Sequence, residues 1–221
     1  EDDRVDLGAL VPVAPIDADA CMERVNAIVD GMRDADYQAV CRAMLRRHLA
    51  DFRQIPAAKS VHHGFIHGLL MHTADMLAMA DFLAKQYHSV IDRDLLLAGT
   101  LLHDFAKAKE FAFSELGLVT GYSVKGQLLG HLVMGAQEVA DTAGELGIPE
   151  EKSTLLQHMI LSHHGEPEFG AAVRPLFAEA ELLWQIDGID SRMEIYREAL
   201  KDLSVGSFSD RIFALERRVY K

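Results

Sequence analysis

Apolar residues recur at three- and four-residue intervals along most of the chain, a pattern typical of amphipathic helices. The predicted helices span 17–32, 37–52, 65–87, 91–105, 125–146, 150–162, 178–203 and 208–217. Asp17 or Asp19 can cap the first of them, and a glycine-containing loop is predicted around 116–122. Because no stretch alternates as a half-buried strand would, and no internal repeat is present, the pattern predicts an all-α fold.

The chain divides into three predicted parts. Residues 1–16 contain Pro12, Pro15 and several acidic residues, and are predicted to form a linker. The first two helices predict an N-terminal helical hairpin over 17–55, packed on a core domain that spans 56–221. A length of 221 residues favours one domain with appendages over two full domains.

Charge and composition narrow the function classes. A net charge of −12 argues against a broad electrostatic surface for nucleic acid, because phosphate backbones are held by clustered Lys and Arg. No apolar run approaches the roughly 20 residues that span a bilayer, and the start EDDRVD is predominantly acidic, the opposite of the basic start of a signal peptide. The only cysteines, Cys21 and Cys41, support neither a disulfide framework nor a thiolate metal site. We therefore expect a cytoplasmic protein without a membrane partner.

Histidines and aspartates fall on the apolar side of five predicted helices. These inward-facing residues are His72, the pair His103 and Asp104, His131, His163 and Asp187. His131, for example, has Leu128 three residues before it and Met134 three residues after it, and would face the interior of a regular helix. A metal site in a helical bundle requires such convergence of nitrogen and oxygen ligands.

Each of these residues has a structural alternative when it is taken alone. A single histidine on an apolar face is often a hydrogen-bonded core residue. Asp104 and Asp187 could be helix caps or members of buried ion pairs, with Lys107 and Arg192 as partners. Five inward-facing positions together favour a metal centre.

The order of these residues resembles the HD-domain superfamily of metal-dependent phosphohydrolases, which is named after an adjacent His-Asp pair. The segments that carry a closer resemblance are PAAKSVHHGFIHGLLMHT (56–73), LLAGTLLHDFAK (96–107), GQLLGHLVMG (126–135), LQHMILSHHGEPEFG (156–170) and EAELLWQIDGIDSRM (179–193). They resemble the HD domain of YhaM-type 3′→5′ exoribonucleases, and the likeness runs from about Asp17 to the C-terminus. The resemblance implies an HD-domain helical bundle with the helical hairpin at its N-terminus.

The resemblance also implies a two-metal site. One ion would be held by His72, His103, Asp104 and Asp187, and the other by His131, His163 and His164, with Asp104 bridging. Imidazole and carboxylate ligands without thiolate favour Mn²⁺ over a structural zinc site, with Fe²⁺, Co²⁺ and Ni²⁺ as alternatives. Two such ions would lower the pKa of a shared water and orient it towards phosphorus, so hydrolysis would need no protein nucleophile.

Four further residues are candidates for catalysis. Lys107 lies four residues after His103, on the same face if the helix continues, and could contact a phosphate oxygen. His62, His63 and His67 could donate a proton to the leaving oxygen or bind substrate, and the alternative is that they are loop histidines at a helix entrance. The resembled family usually has a small residue at the position of His67.

The implied function is metal-dependent phosphodiester hydrolysis by a 3′→5′ exonuclease on single-stranded RNA, with DNA as an alternative substrate. A phosphohydrolase of nucleotides or other small phosphate esters is a second hypothesis, which the acidic surface would suit. A di-iron oxygenase and a non-catalytic interaction module are further alternatives. In the resembled family an OB-fold nucleic-acid-binding domain normally precedes the HD domain. No such segment is present here, so we expect a piece of a longer protein or a form without that RNA-holding module.

Overall fold

The computed structural model describes residues 12–58 and 64–221. Its helices are α1 (Ala18–Asp30), α2 (Ala35–Gln54), α3 (Gly68–Gln86), α4 (Arg93–Leu102), α5 (Lys107–Glu110), α6 (Val124–Leu146), α7 (Glu150–Ser162) and α8 (Ala178–Leu200). Two short strands, β1 (Phe111–Phe113) and β2 (Val119–Tyr122), form an antiparallel pair. The predicted all-α class is confirmed.

Aspartate side chains cap the N-terminal ends of three helices. The Asp17 carboxylate accepts hydrogen bonds from the backbone N–H groups of Asp19 and Ala20, so Asp17 caps α1. Asp34 and Asp92 cap α2 and α4 in the same way. Each cap supplies an acceptor for N–H groups that the first turn of a helix leaves without partners.

Helix α4 lies in the middle of the bundle. All of its residues from Asp94 to Leu102 are buried, and it packs against α2, α3, α7 and α8. A helix surrounded on every side needs apolar residues on every side, which explains the nearly continuous apolar run. Since His103 and Asp104 directly follow α4, they too lie in the interior.

Two carboxylates attach the start of α4 to neighbouring segments. Asp94 Oδ2 accepts hydrogen bonds from the backbone N–H groups of Arg33 and Asp34, at 2.6 and 2.8 Å, in the loop between α1 and α2. The Glu179 carboxylate, at the start of α8, accepts a hydrogen bond from the backbone N–H of Asp92. These bonds fix the position of α4 relative to helices that precede and follow it in the sequence.

The two N-terminal helices contact each other and the core. α1 packs against α3, and α2 packs against α3, α4 and α6. The division into a linker at 1–16, a hairpin at 17–55 and a domain at 56–221 stays a prediction, and residues 1–11 lie outside the described ranges. Cys21 and Cys41 are buried free thiols. None of the helices within the described ranges is long and apolar enough to cross a membrane.

The predicted helix at 208–217 is wrong. This segment holds only a short 3-10 helix, Phe213–Leu215, while Ser209 N–H donates to the carbonyl of Val219 and Lys221 N–H to that of Ser207. The segment folds back on itself, so its backbone groups bond across the two arms. Phe213 is 95% exposed, which means that the apolar periodicity here marks no buried face.

The region after α4 differs from the prediction in two places. The helix predicted to reach 105 ends at Leu102 and is followed by turns. The predicted loop around 116–122 is partly strand, because β2 pairs with β1 and brings Phe111 opposite Tyr122. Neither strand alternates clearly enough in sequence to be distinguished from a loop.

We expect Asp94→Ala to lower the free energy of unfolding by about 1–3 kcal/mol, because two backbone N–H groups lose their acceptor. Urea unfolding followed by circular dichroism, with a chelator present, measures this change. Asp141→Ala removes an exposed carboxylate from α6 and should change the free energy by less than about 0.5 kcal/mol. Equal effects of the two substitutions would contradict the role given to Asp94.

Candidate metal centre

Asp104 lies at the centre of a cluster of imidazole groups. Its Oδ1 is 3.5 Å from His131 Nε2 and 3.7 Å from His163 Nε2. Its Oδ2 is 3.2 Å from His103 Nε2 and 3.8 Å from His72 Nε2. The two oxygens of this buried carboxylate therefore face two different pairs of histidines.

The ligand-type atoms form two sets. In each set one atom per residue lies within 4.8 Å of the others, and the sets are His72, His103 and Asp104, and His131, His163 and His164. Asp187 Oδ1 adjoins the first set, at 3.4 Å from His72 Nε2. The fold thus brings together all seven residues that the sequence analysis named as metal ligands, and their role as ligands stays a prediction.

The turn after α4 positions the HD pair. Residues 103–106 form turns, and α5 starts at Lys107, so the continuous helix that would have placed Lys107 on the face of His103 is not formed. Lys107 nevertheless reaches the cluster, because its Nζ lies 2.7 Å from Asp104 Oδ2 across the turn. It therefore pairs with the carboxylate that lies between the two sets.

A break in α6 turns His131 inward. The regular helix assumed around this residue is wrong, because Leu128 is 78% exposed whereas His131 and Met134 are buried. Gly130 has φ 68° and ψ 164°, which interrupts the helix just before His131. Glycine adopts a positive φ without the steric cost of a Cβ atom, so the break depends on this residue.

Four of the histidines are oriented through Nδ1. The acceptors, at 2.6–2.9 Å, are the Asp190 carboxylate for His72, the Thr100 carbonyl for His103, the Glu110 carboxylate for His131 and the Ile160 carbonyl for His163. Each Nδ1 donates to its oxygen acceptor, which leaves Nε2 of the same ring directed towards Asp104. Histidines that bind metals are typically oriented in this way.

Sequence reasoning missed the two carboxylates among these acceptors. Asp190 lies three residues after Asp187, one helical turn along α8, and this spacing could have identified it. Glu110 also accepts a hydrogen bond from the backbone N–H of His131, at 3.0 Å. Nothing in the sequence links Glu110 to His131, because the contact depends on how α5 packs against α6.

The inner atoms of the cluster fit divalent cations. Within the described part of the chain, His103 Nε2, Asp104 Oδ1, His131 Nε2 and His164 Nδ1 are buried without a hydrogen-bond partner. Buried polar atoms are rarely left unpaired. Two ligands that each lie about 2.1 Å from one ion are separated by about 3–3.5 Å, close to the separations seen around Asp104. Imidazole and carboxylate donors without thiolate suit first-row divalent metals.

The electrostatics of the cluster also favour cations. Burial by itself would raise the pKa of Asp104, but the neighbouring His103 and Lys107 hold it well below its usual range. Burial likewise opposes the charge on Asp187, yet its contacts with His72 lower its pKa. Burial lowers the pKa of His163 and His164, so both are neutral at pH 7. Carboxylates that stay ionised and imidazoles that stay neutral are the forms that bind metals.

His72 and Lys107 carry positive charge in the metal-free protein. Burial would lower the pKa of His72, but its hydrogen bonds to Asp187 and Asp190 outweigh this and raise it to about 10. Burial also opposes the charge of Lys107, and the adjacent Asp104 raises the pKa of the ammonium group. A metal ion at His72 must therefore displace a proton.

A cavity of about 600 Å³ leads to the cluster. The cluster residues that line it are His72, Lys107, His131, His164 and Asp187. The aromatic side chains of Phe111, Tyr122 and Phe169 line the rest, together with Glu110, Leu132 and several small residues. This volume lies within the range of small-molecule and cofactor sites, and it admits a nucleotide-sized group.

Of the three remaining catalytic candidates, the structure describes one. His62 and His63 lie outside the described residues. His67 is described, and its φ of 65° puts it in the left-handed region at the start of α3, where its Nδ1 donates to the carbonyl of Arg53. It is not among the described residues that line the cavity, and its catalytic role stays a prediction.

A family model described as "HD domain" matches residues 69–192, the segment that contains His72, the HD pair, His131, His163 and Asp187. This match covers more than half of the chain. The chain therefore belongs to the HD-domain family.

Individual relatives are similar over nearly the whole sequence. The chain is 38% identical to the 3′-5′ exoribonuclease YhaM of Bacillus subtilis (strain 168) over 220 residues, which cover 100% of this chain and 69% of that protein. It is 38% identical to the YhaM protein of Halalkalibacterium halodurans and 37% identical to that of Listeria monocytogenes serotype 4b (strain F2365), each over 218 residues that cover 99% of this chain and 67–68% of the relative. No solved structure matches significantly. Within the HD-domain family, the chain belongs with the YhaM proteins.

We expect Glu110→Gln to weaken Mn²⁺ binding by about 10–100-fold, because the carboxylate that orients the His131 ring becomes a neutral amide. Isothermal titration of the metal-free protein with Mn²⁺ measures the affinity. Glu115→Gln removes an exposed carboxylate from the segment between β1 and β2 and serves as the matched control, with unchanged affinity. Wild-type affinity in Glu110→Gln would show that Glu110 does not support a metal ligand.

Proposed function

We propose that this chain is a metal-dependent phosphodiester hydrolase that removes nucleotides from the 3′ end of single-stranded RNA. The observation that carries the proposal is the placement of Asp104, whose two oxygens face two separate sets of imidazoles. Such a carboxylate suits a bridge between two ions, and two-metal sites are a recurrent solution for phosphoester hydrolysis.

The proposed ligands are those named from the sequence. His72, His103, Asp104 and Asp187 would hold one ion, and His131, His163 and His164 the other. Mn²⁺ is the first choice among metals that accept imidazole and carboxylate ligands, with Fe²⁺, Co²⁺ and Ni²⁺ as alternatives. When bound, the metals would supply an activated water and offset negative charge on the phosphate.

The protein's own groups would position the phosphate. Lys107 lines the cavity, and one of its three N–H donors is used by Asp104, which leaves others for a phosphate oxygen. The Asp190 and Glu110 carboxylates would keep His72 and His131 in place while substrates enter and leave. His62, His63 and His67 remain the candidates for proton donation to the leaving oxygen.

The choice of RNA as substrate rests on the relatives named 3′-5′ exoribonuclease, which match the chain over 99–100% of its length. A phosphohydrolase of small phosphate esters is less well supported, since none of the relatives named above carries that description. The cavity volume of about 600 Å³ does not separate the two, because it accepts either a free nucleotide or the end of a strand.

We expect the protein with Mn²⁺ to shorten a 5′-labelled single-stranded RNA progressively from its 3′ end. Denaturing gels would show a ladder that a chelator abolishes and added Mn²⁺ restores. Asp104→Asn should remove the activity, because it neutralises the carboxylate that both metal sets share. An intact oligonucleotide, with turnover of mononucleotides or cyclic nucleotides instead, would contradict the exonuclease assignment.

We expect Lys107→Gln to lower kcat on the same RNA by about 10²–10³-fold, the typical loss when one donor to a developing charge is removed. Initial rates of RNA shortening, measured at saturating RNA and Mn²⁺, give kcat. Lys85→Gln is the control, since this exposed lysine lies 13 residues along α3 from His72, about 20 Å away. A kcat within twofold of wild type in Lys107→Gln would remove Lys107 from the mechanism.

A further inference from the structure

Two exposed aromatic rings stand at the cavity that leads to the candidate metal centre. Tyr122, at the end of β2, is 48% exposed, and Phe169, in the 3-10 helix Pro167–Phe169, is 70% exposed. Both line the same cavity as Lys107 and His164. Other rings, such as Phe213, are exposed as well, but these two lie at the substrate cavity, where a bound ligand would cover them.

Each ring is held by its own supporting structure. Tyr122 pairs with Phe111 in the strand register, and the two ring centroids lie 5.6 Å apart, with Phe111 buried beneath. Phe169 is placed by two backbone hydrogen bonds of 2.9 Å, from its own N–H to the Glu166 carbonyl and from Gly170 N–H to the Pro167 carbonyl. The 3-10 helix follows His164 closely in sequence, which fixes Phe169 near the metal ligands.

The charges around the cavity favour binding by rings over binding by cations. Among the described residues that line it, Lys107 is the single Lys or Arg, and it is paired with Asp104. The chain as a whole carries a net charge of −12. Within the described part of the chain, an RNA strand therefore meets little basic surface at this cavity, and its bases are the part that these rings can hold. Base–aromatic stacking tolerates any sequence, because every base has a flat π-face.

We infer that Tyr122 and Phe169 stack on the bases of the 3′-terminal nucleotides of single-stranded RNA and so position the terminal phosphodiester at the metal centre. This inference rests on the proposed exonuclease function and identifies the part of the substrate that the cavity recognises. Stacking requires unpaired bases, so the two rings also select single-stranded ends over duplex ends.

The test compares Tyr122→Ala and Phe169→Ala with wild type on single-stranded RNA in the presence of Mn²⁺. Each substitution should raise KM by about 5–150-fold, the range for loss of one stacked base, with a smaller effect on kcat. Tyr122→Phe and Phe169→Tyr keep a ring and should restore KM. Phe213→Ala and Leu128→Ala remove exposed apolar groups that do not line the cavity, and should leave KM unchanged.

A second substrate isolates the stacking contribution. An oligonucleotide whose three 3′-terminal nucleotides lack bases should bind wild type more weakly than either Ala variant binds normal RNA, because both stacking contacts are lost. On this substrate Tyr122→Ala and Phe169→Ala should cause no further loss. A structural role for the rings would instead weaken binding of both substrates equally, which would overturn the inference.

Other outcomes separate this inference from the proposed function. If wild type shortens RNA and both Ala variants match it in KM, the stacking assignment is wrong and the exonuclease function stands. If the Ala variants change the oligomeric state in gel filtration and leave KM unchanged, the rings belong to a protein interface and the inference fails. If wild type leaves RNA intact, the proposed function and the inference fail together.

Discussion

The arrangement of the site depends on keeping one ionised carboxylate, that of Asp104, in the interior of a helical bundle. A buried carboxylate is costly unless positive groups or cations surround it. Lys107 provides one such group at 2.7 Å, and four imidazole nitrogens lie between 3.2 and 3.8 Å from its oxygens. The helices that carry these groups must therefore converge on the end of α4, and α4 must be buried on all sides to deliver Asp104 there.

The histidines are oriented by two different physical routes. His103 and His163 stand at the C-terminal ends of α4 and α7, and each bonds to a carbonyl three residues earlier in its own helix. The last turn of a helix leaves carbonyls without intrahelical partners, so these two rings use acceptors that the helix end supplies. His72 and His131 have no such local acceptor, and they depend on the carboxylates of Asp190 and Glu110 from other segments.

This division separates local from long-range contributions to the site. His103 and His163 are oriented wherever α4 and α7 end. His72 and His131 are oriented only when α8 packs on α3 and α5 packs on α6. The metal centre and its aromatic cavity are assembled from the same elements: β1 and β2 lie between α5 and α6, and the 3-10 helix follows α7. Chemistry and substrate contact are therefore properties of one packed unit.

The amino-acid sequence by itself determined the helical class and the approximate bounds of α1 to α4 and α6 to α8, because these follow from local periodicity. It also determined the set of buried ligand-type residues, because a buried charge is costly unless it is paired or bound to a metal. Tertiary structure decided the features that periodicity does not encode. The break at Gly130, which turns His131 inward while Leu128 stays exposed, is a single backbone conformation. The bond from Glu110 to His131, and the folding back of the C-terminal segment, depend on contacts between chain segments whose sequences carry no sign of each other.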